Sequence, residues 1–214
     1  GNLTVNNTRF VSNRGGYLPI SEDCDSGDLY SSTGHDFNCS AGGAIMYDKY
    51  MMGYGQVVIK NSSFTNNMAP DFGGAVDVLG SVRCEESSYP RYSDNCNEQL
   101  ANPDRVSAYD LVIKDSTFVG NNSHRGAAIS VSRVALERSG FQLGYIKIEG
   151  STFSKNRGVP NSPDGYIGNV EDFETSIIVT GGNAEISSTE FSDNSADAIL
   201  KIKGMLDCDA SCPN

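Results

Sequence analysis

The first residues to test for catalysis are two carboxylates beside a glycine pair: Asp71 and Asp77 flank Gly73-Gly74. A glycoside hydrolase needs two carboxyl groups roughly 5 to 10 Å apart. Asp77 sits between Val76 and Val78, so on a strand it faces outward when those valines face in. The related segments carry Met46 or Tyr47 and Ser130 at the corresponding place, so no row of acids forms. A lyase would want clustered acids for calcium with an Arg or Lys base close by, and paired Asp, His-Gly or Arg-Ile-Lys signatures are missing. His124-Arg125-Gly126 reads as a loop with a solvated imidazole. Glu22-Asp23-Cys24-Asp25-Ser26-Gly27-Asp28 packs four carboxylates into seven residues, and hard cations prefer such oxygen clusters. Its spacing fails a twelve-position calcium loop, because Cys24 intrudes and no Glu closes it, so a solvated acidic loop is the plainer reading. Glu171-Asp172-Phe173-Glu174 reads the same way. The expectation is no catalytic residue, no metal and no cofactor.

Six cysteines form three close pairs, Cys24 with Cys39, Cys84 with Cys96 and Cys208 with Cys212. An even count points to an oxidising compartment. Six cysteines permit fifteen connectivities, and closure between near neighbours asks for the least rearrangement of the chain. Local bridges are therefore expected, with Cys208–Cys212 the least secure because either partner could bond elsewhere. Neither His35 nor His124 stands beside a pair at zinc-binding spacing. Sequons begin at Asn2, Asn6, Asn38, Asn61 and Asn121 and fit a secretory route.

These groups must be positioned by whatever repeats in the chain, and one pattern does. It reads Leu3-Thr-Val-Asn-Asn-Thr-Arg-Phe10-Val-Ser-Asn13, then Val57-Val-Ile-Lys-Asn-Ser-Ser-Phe64-Thr-Asn-Asn67, then Leu111-Val-Ile-Lys-Asp-Ser-Thr-Phe118-Val-Gly-Asn121. Ile146-Lys-Ile-Glu-Gly-Ser-Thr-Phe153-Ser-Lys-Asn156 and Ala184-Glu-Ile-Ser-Ser-Thr-Glu-Phe191-Ser-Asp-Asn194 complete the set. A second element, Gly42-Gly-Ala-Ile45, Gly73-Gly-Ala-Val76 and Gly126-Ala-Ala-Ile129, follows the first three; Ser176-Ile-Ile-Val179 and Asp197-Ala-Ile-Leu200 are read as its decayed copies. Apolar residues alternate at period two in both elements, and no stretch sustains helical periodicity.

Short strands, no helix and a recurring turn amide predict an all-β solenoid, a right-handed parallel β-helix of about five coils, as one domain over 1–214. The uneven Phe spacing predicts insertions at 14–40, 79–110 and 158–173, the first two each holding a Cys pair that would brace a long loop. Stacked coils place equivalent side chains about 4.8 Å apart. Phe10, Phe64, Phe118, Phe153 and Phe191 should stack inside, and Asn13, Asn67, Asn121, Asn156 and Asn194 should form an amide ladder at a corner. Thr8, Ser62, Ser116, Ser151 and Thr189 are candidates for a hydroxyl ladder. An interior amide cannot carry a sugar, so Asn2, Asn6, Asn38 and Asn61 are the expected glycan sites in preference to Asn121. A repeated Thr-x-Thr array, as an ice-binding face would require, is missing.

Tandem Phe-x-x-Asn with Gly-Gly-Ala-(Ile/Val) resembles the repeat signature of chlamydial polymorphic outer-membrane proteins and, more broadly, right-handed parallel β-helices of the pectin-lyase type. It is also similar to secreted surface proteins of algae and protists. The resemblance covers nearly all of the chain outside the insertions and implies a surface-exposed, non-catalytic adhesin. The cysteine pairs and the sequons depart from the chlamydial pattern.

Sixteen Lys and Arg against 27 Asp and Glu give a net charge of −11, which repels nucleic acid and anionic lipid. No apolar run of 18 residues is present to cross a bilayer. The expected role is a structural or adhesive glycoprotein module, extracellular or at a cell surface, whose partners are copies of itself or further coils end to end, N-linked glycans and cell-surface carbohydrate. The alternative is a polysaccharide-active enzyme or a carbohydrate-binding β-helix, with Tyr17, Tyr30, Phe37, Tyr89, Tyr92 and Tyr166 as sugar platforms.

Overall fold

A computed structural model of the 214-residue chain describes residues 2–15, 42–48, 56–69, 72–80, 109–123, 126–133, 145–159, 175–180 and 184–202. All six cysteines, Asn38, Asp71, His35, His124, the acidic runs 22–28 and 171–174 and the six aromatics named above lie outside these residues. So does most of each of the segments 14–40, 79–110 and 158–173. The described residues contain strands and no helix.

Each repeat contributes one strand to each of three parallel sheets. The first sheet holds β1 (Leu3–Asn6), β4 (Val57–Lys60), β7 (Tyr109–Lys114), β11 (Tyr145–Glu149) and β15 (Ala184–Ser187), in that order. The second runs β2 (Arg9–Val11), β5 (Ser63–Thr65), β8 (Thr117–Val119), β12 (Thr152–Ser154) and β16 (Glu190–Ser192). The third runs β3 (Ile45–Asp48), β6 (Val76–Gly80), β10 (Ile129–Arg133), β14 (Ser176–Thr180) and β17 (Ala198–Ile202). A small fourth sheet pairs β9 (Asn122–Ser123) with β13 (Arg157–Gly158). The stacked arrangement is compatible with a β-helix.

The core follows from the period-two alternation. Val57, Ile59, Leu111, Ile113, Ile146 and Ile148 are completely buried on the inner face of the first sheet. Their β-branched or branched side chains suit a pleated, enclosed surface. Register aligns Val57 with Leu111 and Leu111 with Ile146. A slip of one residue would turn each apolar set outward, so burial and register enforce each other.

Corners are made by left-handed residues. Asn7, Asn61, Asp115, Gly150 and Ser188 all have φ between 47° and 61°, and all but Ser188 are types that tolerate this region. A second corner column, Ser12, Asn66, Gly120, Lys155 and Asp193, has φ between 53° and 65°. Before the third sheet the chain turns at Gly73, with φ 57°, where an added Cβ would run into the carbonyl of Val76.

That third corner corrects one alignment. Ile129 pairs with Ile178 and Ile178 with Leu200, so the counterpart of Gly126-Ala-Ala-Ile129 is Thr175-Ser-Ile-Ile178, one residue earlier than Ser176-Ile-Ile-Val179. The glycine is replaced by a pair of polar side chains. Asp197 Oδ2 accepts from the Thr175 N–H at 2.7 Å and from its hydroxyl at 2.9 Å, while the Asp197 N–H donates to Thr175 Oγ1 at 3.1 Å. These bonds tie the last two repeats together at the place where the first three carry a glycine of positive φ.

Candidate functional site

The periodic polar residues are held inside. Phe10, Phe64, Phe118, Phe153 and Phe191 form one stack, with ring centroids 4.8, 4.8, 4.7 and 5.1 Å apart. The spacing is that of neighbouring strands, and the rings lie within 16° of parallel. Beside the stack runs a ladder of amides. Asn13 Nδ2 donates to Asn67 Oδ1 at 2.8 Å, Asn67 to Asn121, Asn121 to Asn156 and Asn156 to Asn194, each at 3.0 Å. Every acceptor oxygen also takes the backbone N–H of the preceding asparagine. Asn67, Asn121 and Asn156 are completely buried, and their chemistry is spent on the scaffold.

The hydroxyls of Thr8, Ser62, Ser116, Ser151 and Thr189 do not bond one another. Each donates to a carbonyl two residues back in its own repeat. The oxygens of Ser62, Ser116 and Ser151 also accept a backbone N–H from the preceding repeat. The row therefore links repeats through backbone donors.

Asp77 lies on the row Met46, Asp77, Ser130, so no carboxylate stands beside it on either neighbouring strand. Although that row points away from Val76 and Val78, Asp77 and Ser130 are both completely buried. Asp71, the other acid of the pair that glycoside cleavage would need, lies outside the described residues. Among the described residues no cluster of three His, Cys, Asp or Glu could hold a metal ion, and no helix is long and apolar enough to cross a membrane.

What reaches solvent is of three kinds. On the first sheet, Tyr109 donates its hydroxyl to Glu185 Oε1 at 2.7 Å and Lys147 Nζ lies 3.1 Å from Glu185 Oε2, with Lys114 Nζ 2.9 Å from Glu149 Oε2. The Tyr109 hydroxyl and then the Lys147 ammonium hold the Glu185 carboxyl below the ordinary glutamate value. Exposed pairs of this kind contribute little to stability.

The second sheet shows a hydroxyl face. Residues flanking each Phe point outward, giving Ser63 and Thr65, Thr117 and Val119, Thr152 and Ser154 on the three inner repeats. This is a Ser/Thr-x-Ser/Thr surface interrupted by Val119, which a search for Thr-x-Thr alone passes over. An open hollow of about 390 Å³ adjoins it, lined by Asn7, Arg9, Asn61, Ser63, Asp115 and Thr117 among others. Its lining combines amides and hydroxyls with the charged Arg9 and Asp115.

The third kind is apolar. Among the described residues the exposed large hydrophobics are Val11, Met46, Ile199 and Ile202, 40 to 52 % accessible. All four belong to the first or fifth repeat, on β2, β3 and β17. Phe10 and Phe191, the ends of the aromatic stack, are only partly buried, whereas the three between them are sealed.

Two outcomes follow at particular residues. Asn2, Asn6 and Asn61 are exposed, and Asn121, whose Nδ2 donates to Phe64 O and Asn156 Oδ1, is not. Glycopeptide analysis of secreted protein should find sugar on the exposed three and none on Asn121; full modification of Asn121 would mean that the ladder is not interior. Because Asn61 Nδ2 lies 3.4 Å from Asn6 Oδ1, glycans on those two crowd each other and should occupy the pair incompletely.

The second outcome concerns acid. Bonds from the Thr175 backbone N–H and hydroxyl hold the Asp197 carboxyl below its ordinary value. A depressed pKa contributes stability above the unfolded value and loses it as pH falls through the folded one. Amide exchange at Thr175 should therefore accelerate as pH drops below the ordinary aspartate range, after correction for intrinsic rates. Asp197→Asn, which keeps an acceptor and removes the titration, should flatten that dependence.

Comparison with protein-family models, with curated protein sequences and with solved structures finds no significant match to this chain.

Proposed function

We propose that the chain is a right-handed parallel β-helix of about five coils that serves as a non-catalytic structural or adhesive glycoprotein module outside the cell. Its ends join further β-helix coils, a second copy of the chain among them. The observation that carries the reading is the confinement of the exposed large hydrophobics, and of the partly buried stacking phenylalanines, to the two outermost repeats. Between them, repeated polar residues are consumed by ladders that hold the scaffold. Sheet edges and apolar ends of a repeat structure require a cap or a neighbour.

A second reading is carbohydrate binding, favoured by the hydroxyl face of Ser63, Thr65, Thr117, Thr152 and Ser154 beside the polar hollow. Turnover assays on acidic and neutral polysaccharides, run together with binding to the same panel, test both. Neither cleavage nor β-elimination is expected. Clear cleavage would make the protein a polysaccharide-active enzyme and overturn the proposal, and binding without cleavage would favour the second reading.

A further inference from the structure

Among the described residues the two end repeats differ in charge. The described first repeat, 2–15 with 42–48, contains Arg9 and Arg14 against Asp48. The fifth, 184–202, contains Glu185, Glu190, Asp193 and Asp197 against Lys201. One position makes the contrast local: on the second sheet the outward row before the phenylalanines reads Arg9, Ser63, Thr117, Thr152, Glu190. A basic residue opens the row and an acidic one closes it, both exposed. Neither forms an ion pair within the described residues.

From this arrangement, and resting on the structural reading above, we infer that copies of the chain assemble head to tail in one register, the fifth repeat of one copy receiving the first repeat of the next as its sixth. Parallel pairing then continues all three sheets, β15 to β1, β16 to β2 and β17 to β3. In the second sheet Phe191 meets Phe10, Ser192 meets Val11 and Glu190 meets Arg9, one strand spacing apart. In the first sheet Ala184 and Ile186 meet Leu3 and Val5. At the corner, Asn194 donates to the Asn13 Oδ1 of the incoming copy, as Asn156 donates to Asn194 within the chain. In the third sheet Leu200 meets Ile45, and the exposed Ile199 and Ile202 meet Ala44 and Tyr47.

Register and polarity follow from the same groups. A slip of one residue would place a phenylalanine against an outward side chain and break the amide ladder. A tail-to-tail contact would oppose Glu190 to Glu190 and reverse the parallel pairing. The contact is heterologous, using different surfaces of the two copies, so it propagates as an open filament. The attraction between Arg9 and Glu190 across the contact falls with salt.

The test uses the full chain, with light scattering and negative-stain electron microscopy over a concentration series at low and high salt. Wild type should form filaments of one diameter above a critical concentration. Arg9→Glu places like charges across the contact, as does Glu190→Arg, and each should raise that concentration about ten-fold or more. Circular dichroism of each variant should be unchanged, since both side chains are exposed. An equimolar mixture of the two single variants should recover assembly, because the carboxylate introduced at position 9 of one variant meets the guanidinium introduced at position 190 of the other, while the remaining contacts are native. Wild type that stays monomeric at high concentration overturns the assembly. Filaments that tolerate both single variants, or a mixture no better than either alone, overturn the register. Because the readout is size, a monomeric protein that cleaves no polysaccharide would end this inference and leave the non-catalytic reading standing.

Discussion

Asn121→Ala is expected to lower the free energy of unfolding by about 3 kcal/mol or more, measured by denaturant titration with an unchanged slope. The residue is completely buried, and its side chain takes part in four hydrogen bonds. Its Oδ1 accepts from the Asn67 N–H and Nδ2, and its Nδ2 donates to Phe64 O and Asn156 Oδ1, at 2.9 to 3.0 Å. Alanine removes the central amide and leaves those groups in a dry interior. A buried donor or acceptor left unmade costs about 1 to 3 kcal/mol, and Asn67 Nδ2 keeps only its 3.2 Å bond to Phe10 O. Asn121→Asp should cost more despite near-identical size, because an oxygen would face two carbonyl acceptors where Nδ2 now donates, or a proton would have to be taken up to prevent it. Asn13→Ala, at an exposed end of the ladder, should cost far less. Equal losses at Asn13 and Asn121 would show that the ladder is not cooperative.

Phe118→Ala should cost about 3 to 5 kcal/mol. Its ring is sealed from solvent and stacked on both faces, 4.8 Å from Phe64 and 4.7 Å from Phe153. The parallel sheets keep the neighbouring rings at strand spacing, so they cannot close over the vacancy, and the cavity term stays near its maximum. Phe10→Ala removes a ring with one stacking neighbour that is already partly accessible, and should cost less than half as much. Phe118→Leu should recover a large part of the loss, since it refills volume without the aromatic contact. A loss below about 1 kcal/mol for Phe118→Ala would mean that the stack can relax.

The all-β, parallel organisation was legible because apolar pairs such as Val57 and Ile59 alternate at period two and recur beside the same Phe and Asn. The corner at Asn7, Asn61, Asp115, Gly150 and Ser188 was open to reading, since most of these types tolerate positive φ, although the expectation placed a corner only at the asparagine ladder. The second left-handed column was not: Lys155, φ 55°, has no such preference, and its conformation is imposed by the strands on either side. The one-residue slip at Ser176 arose for a similar reason. Where the first three repeats carry glycine, Thr175 and Asp197 stand instead and share three hydrogen bonds, so no glycine marks the register there. Among outward groups, the Tyr109, Lys147 and Glu185 cluster draws one residue from each of three repeats, so only the stacking order brings it together. The hydroxyl face was obscured because Arg9, Val119 and Glu190 interrupt it.

The asparagine ladder has a direction. From Asn13 to Asn156, each side-chain amide gives its N–H to the next oxygen in the same sense along the stack. The amide dipoles therefore align head to tail, as peptide dipoles do in an α-helix, and each polarises its neighbours. Reversing one amide would set oxygen against oxygen on one side and N–H₂ against N–H₂ on the other, so the orientation of all five is a single choice. The scaffold thus carries an electrical axis in uncharged side chains, with an oxygen presented at the first repeat and an N–H at the last.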